Sequence, residues 1–452
     1  MVAFIFEHGP NPWNYLPQAA VLAHLQGIAE GSVQAVLAQR GDPGLLNRIA
    51  GTRDTAATGM ATNLANWGRQ DWLTVTSPVP PFGVSVTVNL STADTMRRWR
   101  EISLAGLAAL LVVLFHLRIV EGKYGQGPLL LGTPVGYAYN GVDLFFVLSG
   151  FVMTTIAAGS YGSPREAGRF LLRRGWRILP LYWLYTTVVL VLTLVAPGMA
   201  NTSSHEQSVL ASYLLWPQAE LPLLTVGWTL THEAFFYLLM AVAIAFARAR
   251  HLPWLLGGWA VATVLAHAWP PASSTPWAAV LSSPLSLEFI AGAFVGLYWR
   301  QLPAWLALPV MALGLAIFLG AMVWFAGPPA QDVPVLQRAL WFGLTSSLLV
   351  LGAVRWEQQA RPRFPRVLTL IGDSSFSLYL GHVFVISAAG RLWQYSGWNS
   401  APWQHAAFVL VAVVASVVVG WVSWRLLELP LQRMARRREA GEVAATPTAR
   451  AG

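Results

Sequence analysis

The stretch YNGVDLFFVLSGF, Tyr139–Phe151, places one carboxylate, Asp143, in a run otherwise suited to a membrane interior. A charge at mid-bilayer costs roughly 2.5–3.5 kcal/mol on insertion scales. The run therefore reads as a membrane helix that reserves a polar environment for one side chain. The rest of the chain is built of similar runs. Of 452 residues, 55% are hydrophobic and only 11% charged, against about 25% charged in a soluble domain. Twenty-two Trp and twelve Tyr suit the interfacial belts of a bilayer.

Counting about 20 apolar residues per crossing gives an all-α polytopic membrane protein with about ten transmembrane helices. They fall near 102–120, 137–158, 178–198, 227–247, 253–269, 277–298, 304–326, 338–354, 367–388 and 405–424, the fifth and eighth being short. Arginine collects in alternate connections: Arg97, Arg98 and Arg100; Arg165 to Arg177; Arg248 and Arg250; Arg300; Arg355 to Arg366; and Arg433 to Arg438. The other connections hold little beyond Arg118, Lys123, Arg338 and Arg391. The positive-inside rule then sets both termini in the cytoplasm and implies a multi-pass protein of the cell membrane.

Three regions follow: an N-terminal extension at 1–95, a membrane domain at 96–435 and a basic, disordered cytoplasmic tail at 436–452. The extension has no spanning run and no basic-then-apolar segment of the kind that opens a secretory signal. MRRWREISLAGLAALLVVLFH, from Met96, reads as the start of a positive-inside first helix. The extension is thus either a small cytoplasmic appendage or the product of a start site placed too early.

Several chemistries are excluded or disfavoured. There is no cysteine, hence no disulfide, thiolate zinc site or Cys nucleophile. The single lysine, Lys123, removes the Walker phosphate loop from nearly the whole chain. The net charge of +9 is dispersed in short clusters between apolar runs, so topology explains it and nucleic acid does not. His232-Glu233 begins a zinc-protease motif, but Phe236 stands where the second histidine belongs, and no metal site is expected.

With the orientation set, His116 falls in the outer part of the first span. Asp143 lies about 9 Å below the outer end of the second, and Glu233, in GWTLTHEAFFYLLM, at a similar depth. Histidine gains and loses protons near neutrality, and a neighbouring carboxylate can fix its tautomer. On the cytoplasmic side, Arg174 and Arg177 share one helical face, and arginine forks suit phosphate groups. In IGDSSFSLYLGHVFVI, Ser375, Tyr379 and His382 make one stripe at i, i+4 and i+7. Each feature also has a structural reading: an interfacial histidine, a carboxylate paired in the bundle, topological arginines, or helix–helix hydrogen bonds.

LAGLAALLVVLFH, YNGVDLFFVLSGF, RRGWRILPLYW, GWTLTHEAFFY, IGDSSFSLYLGH and RLLELPL occur in that order between about 102 and 432. In this ordered set the chain resembles the acyltransferase-3 family, integral-membrane enzymes that O-acylate sugars and other acceptors. The resemblance implies a cytoplasmic acyl-CoA donor, with acetyl-CoA the expected form, and a carbohydrate or other hydroxyl acceptor at the outer side. It implies that His116 is catalytic and that Arg174 and Arg177 bind the donor; on the reading of the residues themselves, Asp143 or Glu233 orients the imidazole. It also puts Ser149, Gly150 and Phe151 at the site; the stripe of Ser375, Tyr379 and His382 is expected from its spacing to line the same site. One departure stands out: Ala105 occupies a position where the family commonly carries arginine. A transporter or flippase of a polar or glycosidic substrate, or an acyl-CoA-binding pseudoenzyme, are the competing readings.

Overall fold

The computed structural model describes residues 2–3, 35–36, 61–67, 70–79, 84–196, 207–269, 275–324, 333–360 and 365–435. Side-chain surroundings are described from Leu104 onward. The chain divides into two units, Met1–Trp99 and Arg100–Gly452. The expected tail at 436–452 lies outside the described residues.

The first unit contains a five-stranded sheet of order β2-β1-β5-β4-β3. Its two short strands are β1 (Val2–Ala3) and β2 (Ala35–Val36). The longer ones are β3 (Ala61–Trp67), β4 (Gln70–Val79) and β5 (Val84–Ser91), paired antiparallel in sequence order. The all-α expectation thus applies to the membrane unit, which is helical throughout its described residues.

Eight helices in that unit are long and apolar enough to cross a membrane, among the described residues. A ninth crossing results if the pair Arg366–Asp373 and Ser375–Ser396, bent by 78°, is one span. The expected fifth span is present as Leu252–Ala268, 17 residues long, at the lower limit for crossing. The helices that matter for the site are α1 (Thr92–Tyr124), α2 (Gly141–Ile156), α3 (Pro164–Val195), α4 (Val209–Leu214) and α5 (Trp228–Phe246). They are joined by α6 (Leu252–Ala268), α7 (Pro276–Leu281), α8 (Ser286–Tyr298), α9 (Ala307–Trp324) and α10 (Val335–Ala360). The bent pair α11 (Arg366–Asp373) and α12 (Ser375–Ser396) and the last helix, α13 (Pro402–Ser423), complete the set.

Local sequence explains several boundaries. Ser163 caps α3, its hydroxyl accepting from the Glu166 amide at 3.3 Å, and Pro164 follows at the first helical position, where a missing N–H costs nothing. Gly397, with φ of 69°, closes α12 in the left-handed conformation that glycine adopts freely. Between α2 and α8 the backbones touch. A Cβ at Gly150 would stand 2.0 Å from the Phe289 carbonyl oxygen, and one at Gly292 1.9 Å from that of Val147. Membrane helices pack closely through such small residues, having no hydrophobic drive to associate.

The end opposite the arginine-rich connections is tied by a buried pair. Glu121 on α1 accepts from His405 Nδ1 on α13 at 2.6 Å and from the amides of Leu130 and Leu131 at 2.7 and 3.0 Å. Both side chains are essentially unexposed. This contact fixes α1 against α13 and positions the loop that leads into α2.

Candidate active site

His116, two turns from the end of α1, does not meet a carboxylate. Its Nδ1 lies 2.9 Å from the Val112 carbonyl oxygen and 3.2 Å from Nε2 of His382. The two rings are 4.9 Å apart between centroids. His382, buried on α12, directs its own Nδ1 at the carbonyls of Tyr379 (2.8 Å) and Leu378 (3.2 Å).

The contacts define one self-consistent tautomer pair, since a neutral imidazole has one donor and one acceptor nitrogen. The His382 Nδ1–H donates to the carbonyls, so its Nε2 is the acceptor. His116 then donates from Nδ1, which leaves its Nε2 lone pair available. Nothing among the described residues hydrogen-bonds to that atom. The side chain beside His116, expected to be Asp143 or Glu233, is His382.

Asp143 is occupied elsewhere. Arg338 on α10 donates from Nε to both carboxylate oxygens (3.1 and 3.3 Å) and from Nη2 to Oδ2 at 2.8 Å. Asp143 is wholly buried, while the Arg338 side chain keeps 16% of its exposure. The Arg338 guanidinium also lies 4.5 Å from the ring centre of Tyr139. A paired, hydrogen-bonded charge is the form in which a membrane interior tolerates ionisable groups. Glu288 on α8, fully buried, is close enough to interact electrostatically with both Asp143 and Arg338. Neither Arg338 nor Glu288 is among the site residues expected from the sequence. The available signal was Arg338 itself, one of the few arginines on the sparsely charged side.

Glu233 belongs to a different part of the interior. It accepts from Ser149 Oγ at 2.9 Å and from the Tyr237 hydroxyl one turn on. Together they line a cavity of about 130 Å³ that also reaches Ala105, Arg174, Arg177, Ser375 and Tyr379. Arg174 and Arg177 lie within electrostatic range of Tyr237. Glu233 thus meets α2 at Ser149, six residues beyond Asp143, about 9 Å along the helix, where the sequence leads one to expect the two carboxylates at a similar depth. The segment before α5 is already buried at Leu223, Leu224 and Val226, and the 3-10 turn Thr133–Asn140 before α2 is buried from Gly136 on. Both chains enter the bundle before their long helices begin.

The Ser149-Gly150-Phe151 segment divides. Ser149 faces the cavity. Gly150 is at the α2–α8 backbone contact, and Phe151, 2% exposed, packs in a core cluster with Val295, Trp299 and Val350. Neither lines the cavity. The α12 stripe is both wall and glue. Ser375 and Tyr379 line the cavity, and the Tyr379 hydroxyl bonds to the Val226 carbonyl (2.9 Å) and Thr229 Oγ1 (2.7 Å). From Ser375 the stripe climbs about 10 Å, at 1.5 Å per residue, to His382 and so to His116.

The family model for an acyltransferase domain matches residues 104–425. Over 306 residues the chain is 33% identical to "Exopolysaccharide production protein ExoZ" of Rhizobium meliloti (strain 1021), covering 66% of this chain and 90% of that protein. It is 26% identical over 382 residues to "Acyltransferase MdmB" of Streptomyces mycarofaciens, covering 76% of this chain and 95% of the relative. No solved structure matches the chain.

Proposed function

The chain belongs to the acyltransferase-3 family of membrane O-acyltransferases, and from that premise we propose that it moves an acetyl group from acetyl-CoA to a hydroxyl of a carbohydrate acceptor. The donor enters from the cytoplasm and binds its phosphates at Arg174 and Arg177. Its thioester arm runs past Ala105, Ser149 and Ser375 toward His116. Ala105 and His116 are eleven residues apart on one helix, about 16 Å at 1.5 Å per residue. That is a span an extended pantetheine-like arm can bridge.

The observation that carries this reading is the contact between His116 and His382, 3.2 Å long. It supports an imidazole with a free Nε2 lone pair and a fixed tautomer, the form required of a general base. In the reaction, His116 Nε2 takes the proton of the acceptor hydroxyl as its oxygen attacks the thioester carbonyl. The carbon–sulfur bond breaks, and the departing thiolate receives the proton from the imidazolium. His382 orients and partners the ring throughout. Acceptor presentation at the outer side of the cell membrane fits the location of His116 toward the end opposite the arginines.

The test is release of free CoA thiol by the purified chain, with and without acceptor. Acceptor-dependent release from acetyl-CoA is expected. A transporter, or a protein that only binds acyl-CoA, would release none, and that result would refute the proposal.

A further inference from the structure

Three side chains near the Asp143–Arg338 pair, Tyr139, Asn140 and Glu288, are buried without serving the histidines or the arginine cavity. Asn140 is 2% exposed, and among the described residues neither its amide nitrogen nor its amide oxygen has a hydrogen-bond partner. The same holds, among the described residues, for the Tyr139 hydroxyl, while Glu288, 0% exposed, stands against Asp143 and within electrostatic range of Arg338. Arg338 spends Nε and Nη2 on Asp143, and no hydrogen bond among the described residues uses its Nη1. Buried polar atoms are nearly always bonded, so a concentration of unbonded ones calls for a reason. Tyr139 stacks on the Arg338 guanidinium, and Asn140, at the start of α2, is three residues before Asp143 and so on the same face of that helix.

The position of this group suggests the reason. Asp143 is the third residue of α2 and Arg338 the fourth of α10. Ser149, at the arginine cavity, lies six residues further along α2, about 9 Å deeper. The group therefore sits toward the end opposite the donor arginines, where an acceptor would approach. Arg338 is its most exposed member and marks the way in.

We propose that Arg338, held by Asp143, and Asn140 form an acceptor subsite for an uncharged, hydroxyl-rich molecule such as a sugar ring. The inference rests on the acyltransferase reading above. An amide offers both donors and an acceptor, and a guanidinium edge offers further donors; these are the complements of hydroxyl groups. The charge balance selects against anions, because Asp143 already matches the guanidinium and Glu288 adds a second carboxyl group. Asp143 is then a positioning residue for Arg338.

The test uses the full-length purified chain, acetyl-CoA, and a glycan extract of the parent cells stripped of O-acyl groups by mild alkali. Two variants are compared. Asn140→Ala removes an amide that bonds to nothing in the fold. Arg338→Lys keeps a charge for Asp143 but loses the planar fork. Each is expected to raise the extract concentration giving half-maximal thiol release at least tenfold, with the KM for acetyl-CoA unchanged. An unaltered acceptor dependence in Asn140→Ala at wild-type yield overturns the subsite. So does a shift confined to the acetyl-CoA KM. If the wild-type chain itself releases no thiol with the extract, the acyltransferase reading fails first and the subsite with it.

Discussion

His382 Nε2 lies 3.2 Å from His116 Nδ1, and His382 is itself held by two backbone carbonyls through its other nitrogen. An imidazole therefore does for His116 what a carboxylate does in a Ser-His-Asp triad: it selects the tautomer and fixes the ring. Unlike a carboxylate, it brings no negative charge into the bundle.

That relationship predicts a graded series at position 382. His382→Leu removes the acceptor and lowers kcat by about 10²-fold or more, in the range typical of compromised general-base catalysis. His382→Gln, which can present an acceptor oxygen to His116, restores much of the rate. Steady-state kinetics on both variants decides it. Equal losses in the two would show that His382 is only a packing residue.

Arg174 and Arg177 share a cavity with Ala105 and Glu233. Replacing both arginines with Gln is expected to raise the KM for acetyl-CoA by tenfold or more. The effect is largest at low salt, where exposed charges are least screened. Titrating acetyl-CoA at two ionic strengths checks this, and an unchanged KM at both would leave the arginines only a topological role.

Ala105→Arg puts a guanidinium into the same cavity, where Glu233 can pair with it. The expected result is normal membrane yield with a lower KM for acetyl-CoA or faster turnover. A poorly inserted protein would instead mean that the added charge finds no partner, a penalty of several kcal/mol.

Asp143→Asn removes the carboxylate that Arg338 grips, but Glu288 stands beside both. The single variant should lose about 1–2 kcal/mol of stability, short of the 3–5 kcal/mol typical of a buried charge left alone. Adding Glu288→Gln should cost more than the sum of the separate changes, the sign of a shared partner. Thermal unfolding in detergent measures all three variants.

How far the sequence could be read depends on what each residue reports. Apolar runs make the helical membrane architecture legible, because crossing length is written locally. His116 and Glu233 are equally visible as polar groups in apolar runs, whereas Ser149 is legible only through the family resemblance. The pairing of such groups is not. Arg338 meets Asp143 across 195 positions, and His382 meets His116 across 266, so neither contact leaves a local pattern. Gly150 illustrates the opposite error. A glycine next to a site serine reads as site lining, whereas its missing Cβ is what lets α2 lie against α8. Gly150→Leu should accordingly abolish accumulation of folded protein, while Ser149→Ala should not; membrane yield of the two variants separates packing from site.

The central claim is that His116 is the base. It is tested most directly by acceptor-dependent CoA release from purified His116→Ala beside wild type at equal membrane yield. The account predicts a rate lower by 10²–10⁴-fold with the KM for acetyl-CoA little changed. Wild-type turnover in the variant would contradict it.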